Sequence, residues 1–287
     1  MKIYCQLIAL SALQGAAAFF VHSPKGTTSA LRSSIPPSAP APVVIKGSSS
    51  NPATATPGIQ KSPANDPWGI EPDVLVQGDS LRTWSFVNPD SLSELVVLKT
   101  DSRPLNANVD LWIGPDWTPY TMQIYTENGS ERPFRTMVGT KGVTNTLAVK
   151  NTAAMEFPLS ASCEETTGSL NLAGIKSKIM DSMKGRKIEG GAVYTTPFDP
   201  KVDRVQVLLT TQGMKLNARI ELLQGPNNIK QAVELHTNDG LNRPFYAIME
   251  APGSGNVVRV VNLSTLEFPI IAYITEGWEC SLWIVNL

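Results

Sequence analysis

At 287 residues the chain has length for one large or two ordinary domains, and its 24 basic and 25 acidic residues nearly cancel. The balance is uneven along the chain. No Asp or Glu precedes Asp66, and five basic residues (Lys2, Lys25, Arg32, Lys46 and Lys61) lie in that acid-free head, which leaves 19 basic against 25 acidic residues beyond it, a net charge of −6. An acidic body argues against non-specific nucleic-acid binding, which needs a cationic surface.

The head reads as an address. Lys2 precedes a short apolar run through Leu7 and Leu13, and Ala16, Ala17 and Ala18 offer small residues for cleavage before Phe19. The run is too short to span a bilayer, so residues 1–18 read as a signal peptide. Residues 19–65 are rich in Ser, Thr, Pro and Ala and carry scattered Lys and Arg without acids, the composition of a transit peptide. Together they resemble the bipartite plastid address of algae with secondary plastids. A secretory signal followed by a disordered Ser/Pro linker is the other reading. Cys163 and Cys280 remain in the body, in unlike contexts, and two unmatched cysteines make no disulfide framework. They are expected as free thiols in a reducing compartment.

From Asp66 onward the dominant feature is a duplication. Gly114-Pro115 recurs as Gly225-Pro226, Arg132-Pro133-Phe134 as Arg243-Pro244-Phe245, and Glu156-Phe157-Pro158 as Glu267-Phe268-Pro269. Each pair is 111 residues apart, and no gap is needed between the first anchor and the last. A period this long is a whole small domain rather than a solenoid repeat.

The lead-in, Asp66 to Gln77, is expected to be ordered, because Trp68, Ile70, Val74 and Leu75 need something to pack on. The first copy then runs from about Asp79 to Cys163. Its apolar residues alternate: Val109, Leu111 and Ile113 on one face, Met122 and Ile124 on another, Leu147 and Val149 on a third. A period of two indicates strands with one buried face. Asn128-Gly129, and Asp239-Gly240 in the second copy, read as type I′ hairpin turns. Five or six short strands at turn spacings of about ten residues predict an antiparallel sandwich or barrel. The second copy, about Gly191 to Thr275, repeats the pattern.

Between the copies, in residues 164–190, Leu172, Ile175, Ile179 and Met183 have helical spacing with Lys176, Lys178 and Lys184 among them, which predicts a short amphipathic linker helix. The tail holds Trp278, Cys280, Leu282, Trp283, Ile284, Val285 and Leu287, and is expected to be buried, as a last strand of its own domain or against another chain. The expected fold is therefore mainly all-β: two tandem antiparallel β-sandwich-like domains, 66–163 and 191–287, in a pseudo-twofold relation and joined by residues 164–190.

No catalytic constellation emerges. His236, the one histidine of the body, aligns with Tyr125 and reads as structural. There is no zinc-spaced Cys/His cluster, phosphate-binding Gly-rich loop or nucleophile elbow, so no enzyme activity, metal or cofactor is expected. Arg132 with Glu156, and Arg243 with Glu267, are the opposite charges kept in both copies. They read as an ion pair or strand-end clasp, or else as a paired ligand site. Trp112 aligns with Leu223 on the polar side of an alternating strand, which suggests a contact face. Trp117 and Tyr120 align with Asn228 and Gln231, so the first copy carries an aromatic knob after Gly-Pro, an interface anchor or a packing element against the other domain. The candidate assembly surface is Trp112, Trp117, Tyr120 and Leu223 with Trp278, Leu282, Trp283, Ile284 and Leu287 of the tail.

A plastid-type address, two tandem β-domains repeating Gly-Pro, Arg-Pro-Phe and Glu-Phe-Pro, and an apolar tail resemble the diatom pyrenoid shell proteins from about Asp66 to Leu287. The segment from Asn242-Arg243-Pro244-Phe245 to Glu267-Phe268-Pro269 carries the resemblance most strongly. It implies a structural protein of the chloroplast stroma at the pyrenoid periphery. Such a protein would assemble with itself and with paralogous shell proteins into a sheet around the Rubisco compartment, with Rubisco or the pyrenoid matrix as further candidate partners, and would support CO2 concentration. It implies no catalytic residue and no membrane insertion. The alternative is a plastid module binding a carbohydrate or other small ligand on Trp112, Trp117 and Tyr120.

Overall fold

A computed structural model describes residues 71–88, 90–140, 144–166 and 171–277. The proposed signal and transit segments and the apolar tail from Trp278 to Leu287 lie outside the described residues.

The first copy supplies eight strands: β1 (Val74–Val76), β2 (Leu81–Phe86), β3 (Ser93–Lys99), β4 (Leu105–Ile113), β5 (Trp117–Thr126), β6 (Phe134–Gly139), β7 (Asn145–Asn151) and β8 (Leu159–Glu165). Helix α1 (Leu172–Ser182) follows. The second copy supplies β9 (Arg186–Ile188), β10 (Val193–Pro197), β11 (Arg204–Thr210), β12 (Leu216–Gln224), β13 (Ile229–Thr237), β14 (Phe245–Glu250), β15 (Asn256–Asn262) and β16 (Ile270–Glu276).

These strands form two eight-stranded antiparallel sheets, and each copy contributes four strands to each. One sheet runs β1-β8-β3-β6-β14-β11-β16-β9 and the other β10-β15-β12-β13-β5-β4-β7-β2. Both orders read the same from either end once each strand is exchanged for its counterpart. The copies therefore meet edge to edge, through β6 against β14 in the first sheet and β5 against β13 in the second. The register places Gln123 opposite its own counterpart Glu234, and Thr136 opposite its counterpart Ala247. A pseudo-twofold axis thus pierces both sheets at these pairs.

Alternation places Val96, Leu98, Val109, Leu111, Met122 and Phe134 of the first copy, and Val207, Leu209, Ile220, Leu222, Leu235 and Phe245 of the second, in one buried core. Each such side chain contributes about 1.5–3 kcal/mol through its removal from water. The first sheet is buried on its other face too. Helix α1 starts at the N-cap Asn171, whose side chain accepts from the Gly174 amide, and lays Leu172, Ile175 and Ile179 on that face. They pack with Leu95, Val97 and Met137 from one copy and Leu208, Tyr246, Ile248 and Tyr273 from the other, so the linker helix straddles the joint. This double burial explains why β3 and β11 read as nearly continuous apolar runs while β4 and β12 alternate.

Two expectations are revised. The duplication reaches further towards the N-terminus than Asp79: β1 and β2 match β9 and β10, but 112 residues apart, because the connection from β2 to β3 is one residue longer in the first copy. And Asn128-Gly129 and Asp239-Gly240 do not close hairpins. They carry the chain from one sheet to the other. Asn128 Oδ1 accepts from the Ser130 amide at 3.1 Å and Asp239 Oδ1 from the Leu241 amide at 3.0 Å, which bends the corner. Glycine is required there by close approach, since a Cβ on Gly129 would lie 2.2 Å from Thr100 Oγ1. The hairpin tips are instead the Gly-Pro turns, where Gly114 and Gly225 have φ of 64° and 80°.

Another repeated pair locks the far corners. Asn151 Nδ2 donates to Val76 O at 3.0 Å and Phe157 O at 2.9 Å, and Asn262 Nδ2 to Ile188 O at 3.1 Å and Phe268 O at 2.9 Å. Each asparagine ties a short edge strand to its Glu-Phe-Pro turn. Asn151→Ala and Asn262→Ala, which strand buried carbonyls, should each cost about 2–3 kcal/mol in denaturant unfolding.

Candidate assembly surfaces

Strand β5 begins at Trp117, directly after the hairpin tip, and the ladder to β4 shifts register between Leu111 and Ile113. The aromatic knob after Gly-Pro is therefore strand, and Tyr120 falls in phase with Met122 and Ile124. Tyr120 is fully buried, with its hydroxyl 3.5 Å from Met122 Sδ. It is not a surface aromatic, and the three-ring stacking platform does not form. Leu223 is corrected too: it is buried, as are Leu222 beside it and Glu221 two residues before it, although it lies out of phase with the core positions Ile220 and Leu222. Trp112 is half-buried. Trp117 is 47% exposed, and the Arg243 guanidinium stands over its ring at 5.2 Å from the centroid. The aromatic knob of the first copy thus contacts the Arg-Pro-Phe arginine of the second, and Arg132 reaches the other way, with Nη2 3.5 Å from Gln224 Oε1.

The repeated arginines clasp the joint, but not through the repeated glutamates. Arg132 pairs with Glu131 at 2.7 Å, while Glu156 and Glu267 are exposed at the far corners. The expected Arg132–Glu156 and Arg243–Glu267 pairings are therefore replaced by contacts across the twofold. The joint holds further mirrored bonds: the Glu127 amide donates to Lys230 O at 2.9 Å and the Asn238 amide to Pro119 O at 3.1 Å. It also holds an ion pair between Arg135 Nη1 and Glu250 Oε1 at 2.9 Å.

Sequence reasoning missed one buried acid. The Glu94 side chain is enclosed at the end of the core and accepts from Ser91 Oγ at 3.0 Å and Thr140 Oγ1 at 3.1 Å. Its pKa is pushed up to about 7, chiefly by burial and further by the negative charge of Glu165, with the two hydroxyl donors acting in the other direction. The available signal was its aligned partner, Val205. Cys163, beside it, is a free buried thiol whose pKa burial pushes well up. Among the described residues no three potential ligands cluster to hold a metal, and no helix is long and apolar enough to cross a membrane.

Some of the exposed apolar side chains lie at the two ends of the sandwich. Leu75, Leu81, Met155 and Phe157 mark the first-copy end, with Met155 77% exposed. Val193, Leu263 and Leu266 mark the second-copy end, with Leu266, the counterpart of Met155, 71% exposed.

The geometry defines a duplicated, pseudo-symmetric all-β sandwich whose repeated motifs serve its joint and corners. The sequence model of the family described as diatom pyrenoid shell protein matches residues 68–276. The chain belongs to that family, which carries a structural role associated with the pyrenoid. No curated protein gives a significant match. Among solved structures, oxalate decarboxylase from Bacillus subtilis aligns over 74% of this chain and 75% of its own at 9% identity and a TM-score of 0.16. Procruciferin, an 11S globulin from Brassica napus, aligns over 70% and 76% at 8% identity and a TM-score of 0.12. Likeness at that level carries no argument.

The buried acid yields a pH prediction. Glu94 titrates near pH 7 in the fold against an ordinary value of 4.5, so the fold holds the proton more tightly. The stability this contributes is full below about pH 4.5 and is lost as pH rises to 7. Glu94→Gln should flatten that loss: thermal melts should show the variant gaining on the wild type between pH 5 and pH 8.

Proposed function

We propose that this protein is a self-assembling structural protein that forms a sheet-like shell around the pyrenoid, the Rubisco compartment of the chloroplast, and so supports CO2 concentration and fixation. The observation that carries this reading is the family match over residues 68–276, on a fold whose two sheets both end in edge strands that no described strand pairs. A duplicated chain presents related surfaces at opposite ends, and head-to-tail contacts that do not close generate open assemblies. Its principal partner is another copy of itself, with paralogous shell proteins in the same lattice and Rubisco or the pyrenoid matrix on one side. The role is structural rather than catalytic, and the place is the stroma at the pyrenoid periphery.

Lattice contacts of this kind bury on the order of 1,000 Å² or more. The apolar tail, Trp278 to Leu287, is proposed to supply part of that area by packing on a neighbouring copy. The test is negative-stain microscopy and sedimentation of the purified protein across salt and protein concentration. Sheets or tubes are expected from the intact chain. Deleting Trp278 to Leu287 should abolish them while the β spectrum persists; assembly unchanged by the deletion would remove the tail from the lattice.

A further inference from the structure

The sandwich ends in two pairs of edge strands, β1 and β2 at the first-copy end and β9 and β10 at the second-copy end. The hydrogen bonds fix which backbone groups point outward. The Asn151 amide donates to Ser80 O, the Asn262 amide to Ala192 O, and the Phe198 amide to Asn256 O. In an antiparallel ladder bonded pairs alternate with unbonded ones. Arg82, Trp84 and Phe86 of β2 therefore bond inward, and the amides and carbonyls of Leu81, Thr83 and Ser85 point away from the sheet. On β10 the outward residues are Val193, Thr195 and Pro197. Pro197 matches Ser85 and stands where a missing N–H costs the internal ladder nothing.

We propose that β2 of one copy pairs antiparallel with β10 of the next, so that the open sheet continues from molecule to molecule. Four features point to a second copy as the occupant. Each sheet holds eight strands, an even number, so a neighbour placed by translation meets β2 with an antiparallel β10 and keeps the same face outward. The same translation brings β9 against β1, which extends the helix-covered sheet in the same step. Setting Thr83 opposite Thr195 also sets Ser85 opposite Val193 and Leu81 opposite Pro197, so every outward N–H of both strands meets a carbonyl of its partner residue, and the Leu81 carbonyl, opposite Pro197, is the one acceptor of these pairs without a donor. Lastly, the apolar side chains Leu81, Met155, Val193 and Leu266 lie beside these edges. An edge that no described strand pairs templates pairing with another chain. The contact is head-to-tail, so it does not close.

This inference rests on the shell reading, and one set of surface variants tests the two separately. Thr83 and Thr195 lie on exposed edge strands, and directly opposed like charges across a strand pair repel. The full chain is compared with Thr83→Glu/Thr195→Glu and with Thr83→Glu/Thr195→Lys, by sedimentation and negative-stain microscopy, with thermal melts to verify folding. Head-to-tail pairing predicts that the double-glutamate variant loses the sedimenting lattice and stays monomeric, while the glutamate–lysine variant assembles like the wild type. Equal assembly by all three overturns the edge contact and leaves the shell reading standing. Failure of the glutamate–lysine variant along with the double-glutamate variant overturns head-to-tail pairing. A wild-type chain that is monodisperse at every concentration overturns the shell reading itself.

Discussion

The structure depends on strand pairing across the joint between its two copies. A four-plus-four-stranded unit has two exposed edges in each sheet, and each such edge carries unpaired backbone groups that need a partner. The chain resolves half of them internally, through β5 on β13 and β6 on β14, with Gln123 facing Glu234 and Thr136 facing Ala247 on the axis. Thr136 Oγ1 donates to Tyr246 O at 2.6 Å there, inside the covered sheet. Everything distinctive about the molecule follows from that choice: one core running through both copies, a helix laid across the joint, arginines from each Arg-Pro-Phe reaching over it, and the remaining edges displaced to the two ends.

The repeated motifs then acquire physical meanings. Gly-Pro makes the hairpin tips that the other copy's arginine approaches. Arg-Pro-Phe combines that arginine with a phenylalanine in the core, since Phe134 and Phe245 are fully buried. Glu-Phe-Pro forms the corner that Asn151 or Asn262 pins to an edge strand. What the two copies share builds the sandwich. What they do not share includes Glu94, a buried acid where the second copy has Val205, and this difference makes one end of the core titratable.

Much of this was legible in the residues, for definite reasons. The constant spacing from Gly114-Pro115 to Glu267-Phe268-Pro269 exposed the duplication, alternation at Val109, Leu111 and Ile113 exposed the strands, and the spacing of Leu172, Ile175 and Ile179 exposed the helix. The edge strands were hidden because a single extra residue shifts Gly78 and Phe86 out of step with Gly190 and Phe198. Tyr120 was misplaced because the residues after Gly-Pro were read as a surface knob, although Tyr120 continues the alternation of Met122 and Ile124, and Leu223 was misplaced because it is buried out of phase with Ile220 and Leu222. Asn128-Gly129 looked like a hairpin because its glycine serves packing against Thr100 rather than a positive φ. The joint itself was invisible, since backbone pairing between β5 and β13 asks little of side-chain identity.

A chain that joins its own halves by extending two sheets sideways has the edges to join its neighbours in the same way, and the proposed shell would then be a continuation of the fold. The most direct measurement is the repeat distance in electron cryo-microscopy images of the assembled protein. Eight strands at about 4.8 Å predict a period of about 38 Å across the strands, with unbroken strand spacing from one copy to the next. Assembled sheets with no such period, or with a gap in strand spacing at every molecular boundary, would contradict it.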